Sequence, residues 1–406
     1  MSFFQFTPAF ANPQGSPIRE LFPYLSRPGM ISLAGGYPSP SLFDQEGLAA
    51  AAAQAMTTGA TALQYGATEG SPALREQLAA QCQARGIRCS AGDVLVTTGS
   101  QQGFDLLLRV LIQPGDAVCV ETPAYPATIA ALRQAGAKIL STPVDGDGLD
   151  VEALATMLAA LPVAERPKLL YTVPNFSNPC GTLLVQQRRE RLVQLALQYG
   201  FVVVEDDPYG ELAFTDARPA PVYAAAQQRV GEGEDEGENP VVYLSSLSKT
   251  VAPGLRVGWM VADPAVLRRC TVAKQTNDLC TSPLAQAVAA SYLQSGRYGQ
   301  AVAKACAEYQ RRMLALTQGL KARLGGLVQF VQPAGGMFVW MTFDARIDPQ
   351  KLFDAAVAAH VIFVPGKAFY ADNANLHSMR LSFAAPDVAQ IEQAVDRLTE
   401  AFHKAS

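Results

Sequence analysis

The segment from Val241 to Trp259, VVYLSSLSKTVAPGLRVGW, says more than any other about the fold and chemistry of this chain. Its first residues are mainly β-branched or aromatic, which predicts a buried strand. Lys249 follows that strand in a turn, and Arg256 comes seven residues later. A lysine flanked by hydroxyls at the end of a buried strand suits an amine that reacts with an aldehyde ligand. The alternative, which holds for most isolated lysines, is a solvated surface charge.

Short apolar strands alternate with longer helical patterns around this segment. The strands are VLVTT, VCVE, KILSTPV, LLYTV, FVVVEDD, VVYLSS and VGWMVA. Such alternation predicts an α/β fold in which a mostly parallel sheet is covered on both faces. A smaller α+β unit is expected after it. We predict an N-terminal arm over residues 1–45 that joins the small domain, a large domain over 46–290 and the small domain over 291–406.

The composition of the chain excludes several classes of protein. Of the 406 residues, 49% are hydrophobic and 17% are charged, so a large core is expected. The formal net charge of −4 does not provide the excess of positive charge that is typical of nucleic-acid-binding proteins. The apolar runs are too short to span a membrane. Seven cysteines without a CxxC pair, beside three histidines, argue against a zinc site. A cytoplasmic location is expected from unpaired thiols and an N-terminus without a secretory signal.

Polar residues follow several of the predicted strands, at the edge where a sheet of this kind binds ligands. Gly99, Ser100 and Gln101 come after VLVTT and begin a helix. The free N–H groups at a helix start favour a phosphate, although such a stretch can also be an ordinary helix cap. Asp206 and Tyr209 come after FVVVE. Asp206 could hold a ring nitrogen in its protonated form, as the pyridinium of pyridoxal phosphate requires, or it could be a turn residue.

Two further candidates are an amide and a guanidinium. Asn178 lies in PNFSNPCG after LLYTV, where its amide could hydrogen-bond a ligand oxygen or simply belong to a turn. Arg380 lies between apolar neighbours in SMRLSF. Its planar guanidinium could form a bidentate ion pair with a substrate carboxylate, or its side chain could be solvated at a sheet edge.

Together these motifs resemble the class I/II aminotransferases, which are pyridoxal-phosphate enzymes of fold type I. NPCG, DDPY and SLSK with the following arginine match the family in order and separation. SPIRE, SLAGGYPSP, QYGATEG and TTGSQQGFDL are most similar to the kynurenine/2-aminoadipate and bacterial lysine-biosynthetic branch. The resemblance implies an aspartate-aminotransferase-like fold, with a seven-stranded, mostly parallel sheet in the large domain.

The resemblance also implies a role for each residue that would touch the cofactor ring. Lys249 would bind the cofactor aldehyde covalently and carry the proton between the substrate Cα and the cofactor. Asp206 would pair with the pyridinium nitrogen, and Tyr209 and Asn178 would hydrogen-bond the ring oxygen. Tyr125 would stack on the ring.

The same resemblance implies the remaining contacts. The residues that would hold the phosphate are Ser100, Gln101, Ser246, Ser248 and Arg256. Tyr65 would reach the phosphate from the other subunit, so a homodimer is expected. Arg380, with Asn178, would bind the substrate α-carboxylate. Arg19 of the arm would meet a distal carboxylate, in a pocket with Gly35, Tyr37 and Leu42 as candidate lining.

The implied function is amino transfer between an L-amino acid and a 2-oxo acid such as 2-oxoglutarate, by a ping-pong mechanism. The candidate donors are 2-aminoadipate, aromatic amino acids including kynurenine, and branched-chain amino acids. Two alternatives stay open from the residues alone. A fold-type I lyase would use the same lysine and aspartate for elimination, and a sensor module would bind pyridoxal phosphate without turnover.

Overall fold

The computed structural model describes residues 3–11, 15–57, 60–216, 218–231 and 238–405. Its strands, numbered along the chain, are β1 (Ile31–Ser32), β2 (Val94–Thr97), β3 (Ala117–Thr122), β4 (Lys138–Asp145), β5 (Gly148–Leu149), β6 (Leu169–Thr172), β7 (Val202–Asp206), β8 (Val241–Ser246), β9 (Gly258–Val261), β10 (Val328–Phe330), β11 (Phe338–Phe343), β12 (Val361–Ile362), β13 (Val364–Pro365) and β14 (Ser378–Ser382).

The α-helices are α1 (Pro8–Ala11), α2 (Phe22–Leu25), α3 (Gln45–Thr57), α4 (Pro72–Ala84), α5 (Ser100–Leu111), α6 (Pro126–Gln134), α7 (Val151–Ala160), α8 (Gln186–Tyr199), α9 (Val222–Gly231), α10 (Pro264–Asn277), α11 (Pro283–Gln294), α12 (Arg297–Leu324), α13 (Pro349–Ala358) and α14 (Val388–Ala405). Short 3-10 turns connect several of them, including one at Arg19–Leu21.

The large sheet has the strand order β2-β9-β8-β7-β6-β3-β4-β5. The strands β8, β7, β6, β3 and β4 are parallel to their neighbours in that series, whereas β9 is antiparallel to both β2 and β8. Because β9 is antiparallel to both of these neighbours, β2 and β8 point in the same direction. The seven predicted strands are present, and the two-residue β5 adds an eighth through an antiparallel turn back onto β4.

Alternate residues of the central strands enter two separate cores, one on each face of the sheet. In β6, Leu169 and Tyr171 pack with α5 and α6, while Leu170 packs with α7 and α8 on the opposite face. Successive side chains of a strand point to opposite faces, so a strand buried on both sides becomes a continuous apolar run. This is why the sequence of these strands shows no polar alternation.

The C-terminal part of the chain forms an antiparallel sheet of order β10-β11-β14-β13, covered by α12, α13 and α14. The arm joins it through β1, which is parallel to β12, and Ser382 N donates to Leu33 O at 2.7 Å. The division of the chain at residue 290 falls inside α11, which packs on α3 and α4. We therefore propose Gly296, between α11 and α12, as the boundary of the small domain.

Three further features concern the wider organisation of the molecule. All seven cysteines are free thiols. Within the described ranges, His, Cys, Asp and Glu form no group that could hold a metal ion. In the same ranges, no helix combines the length and the apolar character that crossing a membrane requires.

Candidate active site

A cavity of about 370 Å³ lies where the parallel strands of the large sheet end. The chain turns at each strand end, and the side chains of five turns converge because β2, β3, β6, β7 and β8 all point to this edge. Twelve of the fourteen site residues named from the sequence line the cavity: Arg19, Ser100, Gln101, Tyr125, Asn178, Asp206, Tyr209, Ser246, Ser248, Lys249, Arg256 and Arg380.

Lys249 lines the cavity, and its Nζ donates to the carbonyl oxygen of Gly36 at 3.0 Å. Burial lowers the pKa of this lysine to about 8, with further lowering by the positive charges of Arg380 and Arg256 and an opposing effect of Asp206. A neutral amine is therefore accessible near physiological pH. Only the neutral form can attack an aldehyde or accept a proton.

Asp206, the last residue of β7, presents one paired and one unpaired oxygen. Its Oδ2 accepts a hydrogen bond from the Tyr171 hydroxyl at 2.6 Å, whereas its buried Oδ1 has no hydrogen-bond partner among the described residues. Burial raises the pKa of this carboxyl to about 6, and the Tyr171 hydrogen bond opposes the rise. A buried acceptor left without a donor costs about 1–3 kcal/mol. A protonated ring nitrogen bound in the cavity would satisfy it.

Arg380, in the middle of β14, is fully buried without a carboxylate among the described residues. It donates through Nη1 to Asn178 Oδ1 at 2.7 Å and through Nη2 to Ala34 O. Its Nε has no hydrogen-bond partner among the residues that the structure describes. The guanidinium carbon lies 4.4 Å from the centre of the Phe338 ring. Burial lowers its pKa to about 10, so the group stays cationic at neutral pH. A substrate carboxylate would supply the missing anion.

Tyr125 and Tyr209 are two of the four tyrosines among the described residues that line the cavity. Tyr125 follows β3 and is the N-cap residue of α6, and Tyr209 follows β7 and packs edge-on against Phe338 with 5.8 Å between the ring centres. Burial raises the pKa of both phenols. Each therefore stays protonated at neutral pH and can donate a hydrogen bond to an anionic ligand oxygen.

The start of α5 forms one corner of the cavity. Gly99 precedes the helix with a φ of +83°, and no side chain caps the first N–H groups. A Cβ on Gly99 would lie 2.5 Å from Arg256 Nη2, so the guanidinium packs directly on this glycine. Unpaired N–H groups beside a guanidinium suit a phosphate dianion.

The opposite side of that corner is formed by the turn after β8. The hydroxyls of Ser246 and Ser248 are hydrogen-bonded to each other at 2.7 Å, and both line the cavity. Gly258 begins β9, where a Cβ would lie 2.6 Å from Ser100 N. Glycine at this position therefore lets β9 approach the start of α5 closely enough to close the corner.

Two of the residues named from the sequence do not line this chain's cavity. Tyr65 is 79% exposed and lies outside it. Gly35 is buried beside the cavity, and its neighbour Gly36 lines the wall instead. Of the two further pocket candidates, Tyr37 lines the cavity and Leu42 does not.

Sequence reasoning missed several lining residues, of which Tyr171 and Gly36 have the clearest roles. Tyr171 supplies the hydroxyl that holds Asp206, and Gly36 supplies the carbonyl that holds Lys249. Tyr171 looks like a core aromatic in LLYTV, and only the pairing of β6 with β7 brings it to Asp206. No local signal marks either residue.

The family model "Aminotransferase class I and II" matches residues 34–398. The chain belongs to this family. It is 37% identical to aromatic-amino-acid aminotransferase 1 of Thermococcus litoralis, over 95% of this chain and 91% of that protein. The enzyme is therefore a pyridoxal-phosphate-dependent aminotransferase, as the motifs predicted.

Two solved structures are also similar to this chain. One is the α-aminoadipate aminotransferase of Thermus thermophilus complexed with N-(5′-phosphopyridoxyl)-L-leucine, with a TM-score of 0.88, 36% identity and coverage of 98% of this chain and 97% of the other. The other is a single mutant of the Thermus thermophilus aspartate aminotransferase, with a TM-score of 0.84, 24% identity and coverage of 98% and 100%. The predicted aspartate-aminotransferase-like fold is confirmed.

The cavity fits the cofactor on three independent points. The unpaired Oδ1 of Asp206 suits a pyridinium N–H, the uncapped start of α5 suits a phosphate, and the amine of Lys249 suits an aldehyde. The bound cofactor supplies a protonated aromatic ring that withdraws electrons from the substrate Cα.

Proposed function

We propose that this aminotransferase exchanges amino groups between the glutamate/2-oxoglutarate pair and a second amino acid that is aromatic, branched-chain or 2-aminoadipate. The observation that carries the proposal is the pair of arginines on one cavity. Arg380 is buried in the wall without a carboxylate, and Arg19 lies at the mouth, where its side chain makes no hydrogen bond or ion pair with the described residues. A dicarboxylate substrate could engage both.

Arg380, Lys249 and Asp206 would each have a separate role in amino transfer. Arg380 binds and orients the α-carboxylate, with Asn178 holding one arm of the guanidinium in place. Lys249 Nζ in its neutral form removes the proton from the substrate Cα and later returns a proton. Asp206, held by Tyr171, keeps the ring nitrogen of the cofactor protonated.

Arg19 would give the site two specificities. It lies in a short 3-10 turn of the arm and is exposed, so rotation of the side chain or a shift of the arm can remove it from the cavity. With Arg19 turned in, a distal carboxylate would be paired. With Arg19 turned out, Ile18, Tyr37 and Val173 would leave an apolar lining for an aromatic or aliphatic side chain.

The names of the similar proteins agree with this range of donors. One is an aromatic-amino-acid aminotransferase, and the other is an α-aminoadipate aminotransferase complexed with a phosphopyridoxyl derivative of leucine. A half-reaction screen tests the proposal. Each amino acid is added to the cofactor-loaded enzyme, and conversion of the lysine-bound cofactor to its pyridoxamine form is followed by absorbance. Ammonia release without a 2-oxo acid acceptor would indicate a lyase instead.

We also propose a cytoplasmic homodimer in which Tyr65 enters the partner's site. Tyr65 is 79% exposed, and the apolar side chains of Leu63, Leu279 and Leu284 are exposed by 66%, 45% and 37%. A second copy of the chain would cover exposed apolar side chains of this kind. Complementation tests the shared site: a mixed dimer of Lys249→Ala and Tyr65→Ala chains contains one site with both native residues. Recovery of activity on mixing two inactive variants supports the proposal, and no recovery contradicts it.

A further inference from the structure

The turn that leads into α5 is held by polar side chains on the side away from the cavity. We propose that Gln102, fixed by the ion pair of Lys274 and Asp278, is a positioning residue for the cofactor phosphate. Gln102 lies in the first turn of α5, and Lys274 is in α10. Neither side chain lines the cavity, so any effect on the phosphate acts through the intervening backbone.

The N-cap position of α5 offers no side chain to hold the helix start, so the residue before it has to be fixed by other contacts. Gly99 is the N-cap residue, and it has no side chain with which to hold the first turn. Its φ of +83° lies in the left-handed region, where glycine has unusual conformational freedom. The N–H groups that face the cavity would therefore point in variable directions unless the preceding residue were fixed.

Thr98 is that preceding residue, and three of its groups are hydrogen-bonded. Its N–H donates to Gln102 Oε1 at 2.7 Å, and its carbonyl oxygen accepts from Arg256 Nη2 at 3.2 Å. Its hydroxyl donates to Asp278 Oδ2 at 3.0 Å. Thr98 thus joins the phosphate-binding arginine on one side to Gln102 and Asp278 on the other.

The amide of Gln102 is locked in one orientation by its neighbours. Its Oε1 accepts a second hydrogen bond from Lys274 Nζ at 3.1 Å, and its Nε2 donates to Asn277 Oδ1 at 2.9 Å and to Asp278 Oδ2 at 2.7 Å. A flipped amide would place Nε2 against both the ammonium of Lys274 and the Thr98 N–H. The oxygen is therefore always directed at the Thr98 peptide.

Lys274 is fully buried, and its ammonium lies 2.7 and 2.8 Å from the two oxygens of Asp278. A buried charge is retained only when it is paired, so Lys274 requires Asp278, whose own side chain is 27% exposed. The pair carries no net charge. Its contribution to phosphate binding is therefore geometric, through the direction of the N–H groups, and does not come from attraction of the anion.

The test compares two ligands that differ only by the phosphate. The full-length chain is stripped of cofactor, and the dissociation constants of pyridoxal 5′-phosphate and pyridoxal are measured by absorbance titration. Gln102→Met changes no charge and removes the acceptor for the Thr98 N–H. We expect about tenfold weaker binding of pyridoxal 5′-phosphate, the effect of losing one partly buried hydrogen bond, and less than about twofold change for pyridoxal. Gln134→Met, at the exposed end of α6, is the matched control and should change neither constant.

A reciprocal exchange separates positioning from general damage to the fold. Gln102→Glu alone keeps the acceptor for Thr98 but places a carboxylate against Asp278, and it should weaken phosphate-dependent binding. Combining it with Asp278→Asn restores a donor–acceptor pair with the same total charge, so most of the affinity should return. Equal weakening for both ligands in Gln102→Met, no weakening for either, or a double variant no better than Gln102→Glu would overturn the proposal.

Discussion

The floor of the cavity, which contains Asp206, Lys249 and Arg380, differs from its mouth, which contains Arg19 and Tyr37, in secondary structure and in burial. On the floor, Asp206 ends a buried strand, Lys249 follows one and Arg380 lies within another, and the hydrogen bonds of Asp206 and Arg380 are buried. At the mouth, Arg19 and Tyr37 belong to the irregular arm and are exposed. The difference teaches that the residues proposed to act on every substrate lie in or beside buried strands, whereas the residue proposed to recognise the substrate side chain lies in an exposed arm. Substitutions on the floor should therefore affect every substrate, and substitutions at the mouth only some.

The largest effect is expected for Lys249→Ala. Loss of the amine removes both the covalent attachment of the cofactor and the base at the substrate Cα, so turnover should fall by at least about a thousandfold for every substrate. Steady-state rates and the absorbance spectrum of the protein-bound cofactor check this. A variant with normal turnover and a wild-type spectrum would show that Lys249 is not the reactive lysine.

The next largest effect is expected for Arg380→Ala. Every substrate carries an α-carboxylate, so kcat/KM should fall by about a hundredfold for amino acids and 2-oxo acids alike. Arg380→Lys keeps a charge but loses the planar fork, and it should recover only part of the loss. Arg311→Ala, at an exposed position of α12, is the control. A loss confined to dicarboxylates would assign Arg380 to the distal group instead.

A smaller and selective effect is expected for Arg19→Ala. The KM for 2-oxoglutarate should rise about tenfold because the distal carboxylate loses its partner, while the KM for a monocarboxylic 2-oxo acid should change by less than about twofold. Parallel measurements with the two acceptors check the split. Equal changes for both would remove the distinction between floor and mouth.

The smallest effect concerns the pH dependence of cofactor capture by the cofactor-free chain. The reaction needs neutral Lys249, whose pKa is lowered to about 8, so the rate should rise with pH and level off above that value. Arg380→Met removes a positive neighbour and should raise the pKa of Lys249. Capture near pH 7 should then be roughly threefold slower, with no difference at high pH. Stopped-flow absorbance over a pH series gives the midpoint of the rise in capture rate for the original chain and for Arg380→Met. The two midpoints would be the same if Arg380 did not affect the pKa of Lys249.

Much of the floor could be predicted because each of its residues adjoins or lies in a strand that the sequence marks clearly. Asp206, Asn178 and Lys249 follow apolar runs, and parallel strands end at one edge of a sheet. Tyr171 could not be found in this way. Its role depends on β6 lying beside β7 in the sheet, and strand order is not encoded in any local pattern.

The mouth was harder to predict because the arm has little periodicity. Gly36 lines the cavity and Gly35 does not, a difference of one residue that depends on how β1 pairs with β12 and where the chain leaves that pairing. The two-residue β5 was missed for a similar reason, since it forms by a return of the chain onto β4.

By itself, the sequence determined the fold class through the apolar periodicity of its strands and helices, and the cofactor through the resemblance of its motifs to a known family. It also predicted which lysine reacts, because that lysine lies in one of those motifs. Only the tertiary structure decided which groups surround them: the hydroxyl of Tyr171 on Asp206, the carbonyl of Gly36 on Lys249, and the ion pair of Lys274 behind Gln102. These contacts join residues that are distant in sequence. They arise from strand order and helix packing, which minimise the free energy of the whole chain.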